Sequence, residues 1–206
     1  MMCVRLAMFL VLVGLAAGQV PNGVLPFMPR PPATGPCAVV PVVQNFDLHR
    51  YLGRWYEIER FFAPFQTGDC VTADYGLLTN GSVSVVNTEV VEGELNSVRG
   101  FATLGPNPLE GRLVVQFPFS SQGSFSPEGK TNYTVVATDY HNYALVYSCS
   151  TFGPENKIEF SWILSRTPTL PPQFVSALKD WASQVNIDAA RYSPLRQDAS
   201  CLRRPQ

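Results

Sequence analysis

Few residues in this sequence have types and spacings that suit catalysis. The chain holds two histidines, His49 and His141, and they lie too far apart in sequence to form a short metal-binding motif. Neither accompanies a Gly-x-Ser-x-Gly turn, and there is no glycine-rich phosphate loop. His141 falls in a predicted hairpin turn, and His49 precedes the first predicted strand. The sequence therefore favours a protein that is not an enzyme and that holds no metal or cofactor.

The cysteines favour disulfide chemistry over metal binding or a reactive thiol. Cys37, Cys70, Cys149 and Cys201 lie far apart and form no chelating pair. A nucleophilic cysteine would need a free thiol, which four paired cysteines do not leave. An even count is typical of secreted domains, although four cysteines allow three pairings and the residues alone do not choose between them.

The first 18 residues predict secretion. Arg5 precedes the apolar run Leu6–Leu15, and the small residues 16–18 suit signal-peptidase cleavage before Gln19. Cleavage would also remove the fifth cysteine, Cys3. Residues 19–36 contain six prolines and predict a flexible lead-in without a sheet ladder, followed by one domain over residues 37–206. A net charge of −1 excludes a basic nucleic-acid surface, and no integral membrane segment is expected after cleavage.

The elements that would position any site are short strands. Alternating apolar residues, with an Asn80-Gly81 hairpin signal and further turns, predict eight of them. The predicted strands span 53–60, 69–78, 82–91, 96–104, 112–117, 131–138, 144–150 and 157–165. Mostly tight connections favour an all-β, eight-stranded antiparallel up-and-down barrel over a sandwich.

One amphipathic helix follows the strands. An apolar face at helical spacing predicts that it packs outside the barrel, and its members are Phe174, Leu178, Trp181 and Val185. Thr169 is a candidate N-cap, and Pro171 and Pro172 suit the first turn. Residues 189–195 are a candidate edge strand.

Asn87 and Glu89 are the polar residues most relevant to binding. They share a strand face with Val85, so they would mark a polar end of a cavity if that face points inward. If it points outward, they are ordinary solvated residues, and alternation leaves both readings open. Two sequons, at Asn80 and Asn132, are candidate glycosylation sites.

Four segments together resemble the lipocalin family, most closely its secreted apolipoprotein D-like members. They are Tyr51–Glu59, which contains Gly53-x-Trp55-Tyr56, then 137–140, 142–149 and 162–164. The resemblance implies that Arg166 lies over Trp55 and closes the barrel floor. The structural motif comprises Gly53, Trp55, Thr138, Asp139, Tyr140 and Arg166. The resemblance also implies the disulfides Cys37–Cys149 and Cys70–Cys201.

The same resemblance implies a carrier of a small hydrophobic ligand such as a fatty acid, a sterol or a steroid. Its implied cavity residues are Tyr75, Asn87, Glu89, Phe117, Tyr133 and Trp162. A pigment-binding lipocalin (for a bilin or carotenoid) or a retinoid-binding one is the alternative, and a lipid-isomerising enzyme is a more remote one. The chain departs from its relatives in a polar loop at 120–129, which affects the rim. It also has Thr151 in place of an unpaired cysteine, so no disulfide-linked partner is expected, and the sequence identifies no receptor or lipoprotein partner.

Overall fold

The computed structural model describes residues 33–117, 130–152 and 155–202. The expected signal peptide, most of the proline-rich lead-in and the whole polar loop at 120–129 lie outside the described residues. Ten strands and two α-helices are assigned to the described part. The strands are β1 (Ala33–Thr34), β2 (Gly53–Arg60), β3 (Asp69–Leu77), β4 (Val83–Val91), β5 (Glu94–Leu104), β6 (Arg112–Gln116), β7 (Tyr133–Thr138), β8 (Tyr143–Phe152), β9 (Asn156–Ser165) and β10 (Ser193–Pro194). The helices are α1 (Leu48–Tyr51) and α2 (Pro172–Gln184).

Strands β2 to β9 form a closed antiparallel barrel. Each strand pairs with the next in sequence, and β9 pairs back with β2, where Tyr56 lies opposite Ser165. The predicted eight-stranded up-and-down barrel is confirmed. Because neighbouring strands alternate in direction, segment 61–68 and the turn at 92–93 lie at one end, the mouth. Helix α1 and the turn at 139–142 lie at the other end, the floor.

Two short strands extend the barrel sheet. Ala33 and Thr34 pair with Lys157 and Asn156 of β9. The prediction that residues 19–36 contribute no strand is therefore wrong for Ala33 and Thr34. Neither residue is a proline, so each keeps the backbone N–H that strand pairing uses. Ser193 and Pro194 pair with Arg60 and Glu59 of β2, which confirms a short edge strand within 189–195.

Two apolar clusters lie on the two sides of the barrel wall. The strand period of two sends alternate side chains inward and outward. The inner cluster fills the lumen above the floor and includes Trp55, Tyr75, Val85 and Leu113. The outer cluster joins the wall to α2, and its buried members include Ile163, Leu178, Ala182 and Tyr192.

Helix α2 packs outside the barrel as predicted, but two details of the prediction are wrong. Trp181 is 40% exposed, because the buried residues of α2 are Leu178 and Ala182, and Trp181 lies at the edge of their face. Thr169 does not cap the helix, because the N-cap residue is Pro171. Thr169 instead accepts a hydrogen bond from the Thr167 hydroxyl through its backbone carbonyl. Pro172 occupies the first turn, where its missing N–H costs nothing.

Both disulfides implied by the family resemblance are confirmed. Cys37 is bonded to Cys149 and ties the lead-in to β8. Cys70 is bonded to Cys201 and ties the C-terminal tail to β3. In the described part of the chain, no helix is long and apolar enough to cross a membrane.

Candidate ligand-binding lumen

The floor of the lumen is closed by a guanidinium stacked on an indole. The Arg166 Cζ lies 3.7 Å from the centroid of the Trp55 ring, which confirms the expected pairing. Arg166 also donates hydrogen bonds to the backbone oxygens of Arg50, Arg54 and Tyr140, at 2.6, 3.0 and 3.0 Å. Gly53 has φ +92°, and a Cβ there would lie 3.5 Å from the Arg166 Nη1. Glycine at this position allows the backbone to turn into β2 beneath the arginine.

The turn between β7 and β8 holds the second part of the floor. Asp139 accepts N–H bonds from His141, Asn142 and Tyr143 at 3.0, 2.7 and 3.1 Å. Partial burial alone would raise the pKa of the Asp139 carboxyl, but a hydrogen bond from the Asn142 Nδ2 at 2.7 Å, together with these N–H bonds, lowers it on balance. The Thr138 Oγ1 donates to the Tyr143 carbonyl at 2.6 Å and accepts from the Tyr140 N–H at 2.9 Å. Thr138 and Asp139 therefore fix this turn by hydrogen bonds, and Tyr140 packs against the inner cluster.

Three phenols meet above the floor, two of them buried (Tyr51 and Tyr75) and one partly buried (Tyr133). The hydroxyls of Tyr51 and Tyr133 lie 2.7 Å apart, and the Tyr75 hydroxyl donates to Tyr133 at 3.0 Å. Burial raises the pKa of each of the three, so all remain protonated at neutral pH. Three hydroxyl protons serve two hydrogen bonds, so one O–H is left without an acceptor among the described residues. The unused O–H belongs to Tyr51 or Tyr133, because the Tyr75 hydroxyl already donates, and it offers a hydrogen-bond donor in the cavity.

Asn87 and Glu89 lie on the inward face of β4. Val83 and Val85, which share that face, are buried in the inner cluster, and this decides between the two orientations that alternation left open. The buried Asn87 Oδ1 has no hydrogen-bond partner among the described residues. The Glu89 Oε2 accepts the Gly68 N–H at 2.7 Å, which ties the mouth segment to β4.

Phe117, immediately after β6, and Trp162 of β9 line the lumen. Both are partly buried and pack against the inner cluster. The Trp162 Nε1 donates to the Gln66 Oε1 at 3.4 Å, and its ring lies 5.9 Å from that of Phe160. Phe117 lies over Gly100, where an added Cβ would come within 2.6 Å of the phenyl ring. The six expected cavity residues therefore all belong to the lumen wall, and their role in binding stays a prediction.

Sequence reasoning missed a buried polar cluster below the mouth. Its members are Glu57 and Arg60 of β2 and Gln66 of the following segment. The Glu57 Oε1 accepts from the Gln66 Nε2 at 2.7 Å, and its Oε2 lies 3.3 Å from the Arg60 Nη1. Glu57 lies two residues after Trp55, so strand alternation could have placed it on the same inward face. Alternation could not have placed Arg60 on that face, because the register of β2 against β9 shifts between Glu57 and Glu59.

The cluster has unusual electrostatics. Burial raises the pKa of the Glu57 carboxyl to about 7, and the nearby Glu89 charge adds to that effect. The positive charge of Arg60 and the hydrogen bonds from Gln66 and Arg60 lower this pKa but do not return it to its usual value. Glu57 is therefore a lumen carboxyl that exchanges its proton near neutral pH.

The two histidines lie away from the lumen. His49 is exposed, and the exposed His141 Nε2 lies 2.8 Å from the Arg50 Nη2 near the floor. The described residues contain no group of histidine, cysteine and carboxylate side chains that could hold a metal ion. They provide no imidazole base in the cavity.

The two sequons differ in their surroundings. Asn80 is exposed at the hairpin tip, where its Oδ1 accepts from Ser82. Asn132 is partly buried, and its amide bonds both the N–H and the carbonyl of Val115, at 2.7 and 2.8 Å. Asn132 also lines a half-open cavity of about 270 Å³ outside the barrel, between residues 37–40 and strands β6–β8.

Comparisons with known proteins agree with the barrel and its motifs. Residues 46–197 match the model of the lipocalin-like domain. The chain is 42% identical to mouse apolipoprotein D over 168 residues, which cover 81% of this chain and 85% of that protein. It is 30% identical to the Lazarillo protein of Schistocerca americana, over 79% of this chain and 75% of that one. The structure of insecticyanin from the tobacco hornworm Manduca sexta superposes with a TM-score of 0.68 at 25% identity, covering 82% of this chain and 92% of that one. The protein belongs to the lipocalin family.

Proposed function

We propose that the protein is a secreted carrier that reversibly binds a fatty acid, a sterol, a steroid or a similar lipid in its barrel lumen. The observation that carries this proposal is the Asn87 Oδ1, which is buried on the lumen face without a partner among the described residues. A buried polar atom without a hydrogen bond is costly. A polar group of a bound ligand, or a water held beside it, would supply the missing bond.

The apolar lining supports a hydrophobic ligand. Val115, Phe117, Tyr133 and Trp162 pack against the inner cluster but remain only partly buried. Binding an apolar molecule against these side chains would remove their remaining surface from water, which favours association. Lipocalins bind small hydrophobic ligands, and this lining has the same chemical character.

The expected affinity follows from the size of such a ligand. Burying about ten to fifteen carbons contributes roughly 8–12 kcal/mol. Immobilising the ligand costs at least about 4 kcal/mol, which leaves about 4–8 kcal/mol and dissociation constants between roughly millimolar and micromolar. That range suits uptake and release within an extracellular fluid.

Glu89 is proposed to hold the polar end of the ligand or an ordered water beside it. Its Oε2 is bonded to Gly68, and its Oε1 has no partner among the described residues. A ligand hydroxyl could donate to that oxygen. Glu89→Gln is expected to change the preference between a neutral and an acidic lipid while leaving stability nearly unchanged, as measured by calorimetry with a matched alcohol and acid. Unchanged affinities for both would place Glu89 outside the binding site.

A pigment or retinoid ligand is the second candidate. An aromatic cavity with one polar end would also accept a bilin, a carotenoid or a retinoid. The test that separates the candidates is mass spectrometry of the organic extract from natively secreted protein. A fatty acid or sterol would support the first candidate, a bilin, carotenoid or retinoid would support the second, and an extract without any ligand would count against both.

Secretion and the lead-in complete the proposal. Residues 1–18 are proposed to direct secretion, and Asn80 is proposed as the more accessible glycosylation site. Deleting residues 19–36 is expected to leave lipid affinity intact, because no expected cavity residue lies in that segment. A loss of activity after the deletion would instead favour a protein-binding module that acts through this segment.

A further inference from the structure

Arg60 lies in an unusual position for a cation. It shares the inward side of β2 with Glu57, because the register shift between Glu57 and Glu59 reverses the alternation. Its side chain is 11% exposed, and it lies opposite Trp162 in the ladder. A guanidinium at this depth is costly unless an anion compensates its charge.

Arg60 has more donors than the protein uses. Of its five N–H groups, one bonds the Glu57 Oε2 and one bonds the Gln66 carbonyl. The three others have no partner among the described residues.

The groups around Glu57 come from several elements of the barrel. Arg60 of β2 is its ion-pair partner, and Gln66 donates to it from the mouth segment. Tyr75 of β3 and Glu89 of β4 interact with its charge at longer range. Arg60 is the sole cation within ion-pair distance of Glu57 among the described residues. When Glu57 takes up a proton, Arg60 loses its counter-ion inside the lumen.

We propose that Arg60 binds the carboxylate of a lipid acid in the lumen, and that this carboxylate replaces the charge of Glu57, which takes up a proton from solvent as the acid binds. The cluster then exchanges one anion for another and its net charge does not change. Arg60 can meet a carboxylate with two parallel N–H bonds through the donors that the protein leaves unused. Trp162, hydrogen-bonded to Gln66, places an apolar ring beside the first carbons of the chain.

The exchange makes the affinity for an acid depend on pH in one direction. Below pH 7, Glu57 is mostly protonated and the acid binds without further cost. Above that pH, binding must draw a proton onto Glu57, so the dissociation constant rises by up to about tenfold per pH unit. A neutral lipid of the same length makes no such demand, and its affinity should not change over the same range.

The inference rests on the proposed carrier function, and the test keeps the two apart. Dodecanoate and dodecanol share one chain and differ in the head group. Titration calorimetry of the full mature protein with each, at pH 6.5, 7.5 and 8.5, gives two affinity profiles. Repeating the dodecanoate titration in buffers of different ionisation enthalpy counts the protons taken up.

Two variants address the two residues. Glu57→Gln is expected to remove the pH dependence for dodecanoate, because no carboxyl then needs a proton. Arg60→Gln is expected to weaken dodecanoate binding by about tenfold or more at pH 6.5, whereas Arg60→Lys should retain part of it. Dodecanol binding reports whether each variant still folds. Asp180→Asn on the exposed side of α2 and Arg99→Gln on the outer wall remove the same charges outside the lumen, and they should change nothing.

Each outcome decides something. The exchange is supported by a dodecanoate affinity that falls as pH rises and by an uptake of close to one proton at pH 8.5, with both effects absent in Glu57→Gln. Equal, pH-independent affinities for the two probes, or an unchanged dodecanoate affinity in Arg60→Gln, overturn the exchange and leave the carrier proposal standing. If neither probe binds the wild-type protein saturably, the carrier proposal fails together with the inference.

Discussion

At the scale of single residues, burial decides what each lumen side chain does. Trp55, Tyr75 and Glu57 are all buried inside the same barrel, but only the carboxyl loses a strong interaction with water. Its raised pKa follows from that loss, and the nearby Arg60 offsets only part of it. The lumen therefore contains a group whose proton affinity differs between the folded and unfolded chains.

Glu57 should make stability fall as pH rises. Its pKa is about 4.5 in the unfolded chain and about 7 in the folded one, so the folded protein binds more protons between those values. The stabilising contribution is full below pH 4.5 and is lost as pH passes 7, at a cost of about 3 kcal/mol. Urea unfolding at pH 4.5 and pH 8 should show this loss in the wild type and a smaller one in Glu57→Gln. Parallel profiles for the two proteins would mean that Glu57 keeps an ordinary pKa.

Trp55 and Arg166 should matter for stability and not for ligand choice. Trp55 is fully buried, and its Nε1 donates to the Tyr51 carbonyl at 2.9 Å. Trp55→Ala should lower the free energy of unfolding by about 3–5 kcal/mol as a large-to-small core change. Chemical denaturation measures this loss, and a loss below about 1 kcal/mol would show that the floor does not depend on the indole.

Sequence reasoning identified the lumen residues unevenly for a physical reason. Alternation placed Asn87 and Glu89 on one face but did not say which face points inward, and the burial of Val83 and Val85 was needed to decide. Glu57 could have been found by counting two residues from Trp55. Arg60 could not, since a register shift in β2 depends on pairing with β9 and leaves no mark in the composition of the strand.

At the scale of elements, the helical pattern correctly predicted helix α2 but not which of its residues are buried. The four-three-four spacing of its large apolar residues predicted one buried face, and a helix does pack there. The wall instead buries Leu178 and the small Ala182, and Trp181 lies at the margin. Spacing alone favours the largest side chains, whereas close approach to a sheet favours a small one at the contact.

Truncations in α2 should reflect this difference. Leu178→Ala removes a buried side chain and should cost about 2–5 kcal/mol of unfolding free energy. Trp181→Ala removes a ring that is 40% exposed, so its cost should be clearly smaller. Thermal or urea unfolding of the two variants gives the comparison. An equal or larger loss in Trp181→Ala would reassign the buried face of the helix.

The disulfides should stabilise the chain ends against the barrel. Cys70 and Cys201 are separated by 131 residues, and Cys37 and Cys149 by 112. Replacing both members of either pair by alanine should lower stability by roughly 4–5 kcal/mol in the chain-entropy model. Unfolding of the two double variants measures this loss. Non-reducing peptide mapping of the wild type checks the pairing, and a Cys37–Cys70 peptide would contradict it.

At the scale of the whole molecule, the barrel was the most predictable feature. Eight short alternating segments with tight turns leave few arrangements that bury one face of every strand. The closing contact between β2 and β9 joins segments about 100 residues apart, and local patterns do not specify it. The short ladder of Ala33 and Thr34 was missed for a related reason, because it depends on an edge of β9 that forms only once the barrel is closed.

The central claim is that a lipid binds inside this barrel, and contact quenching of tryptophan tests it most directly. The probe 11-bromoundecanol carries a heavy atom that quenches an indole it touches. The protein has three tryptophans, which are Trp55 at the floor, Trp162 in the lumen wall and Trp181 on α2. We expect saturable quenching in the wild type and in Trp181→Phe, and loss of most of it in Trp162→Phe, which should still fold. Quenching that persists in Trp162→Phe and disappears in Trp181→Phe would place the lipid beside the helix and contradict binding in the lumen.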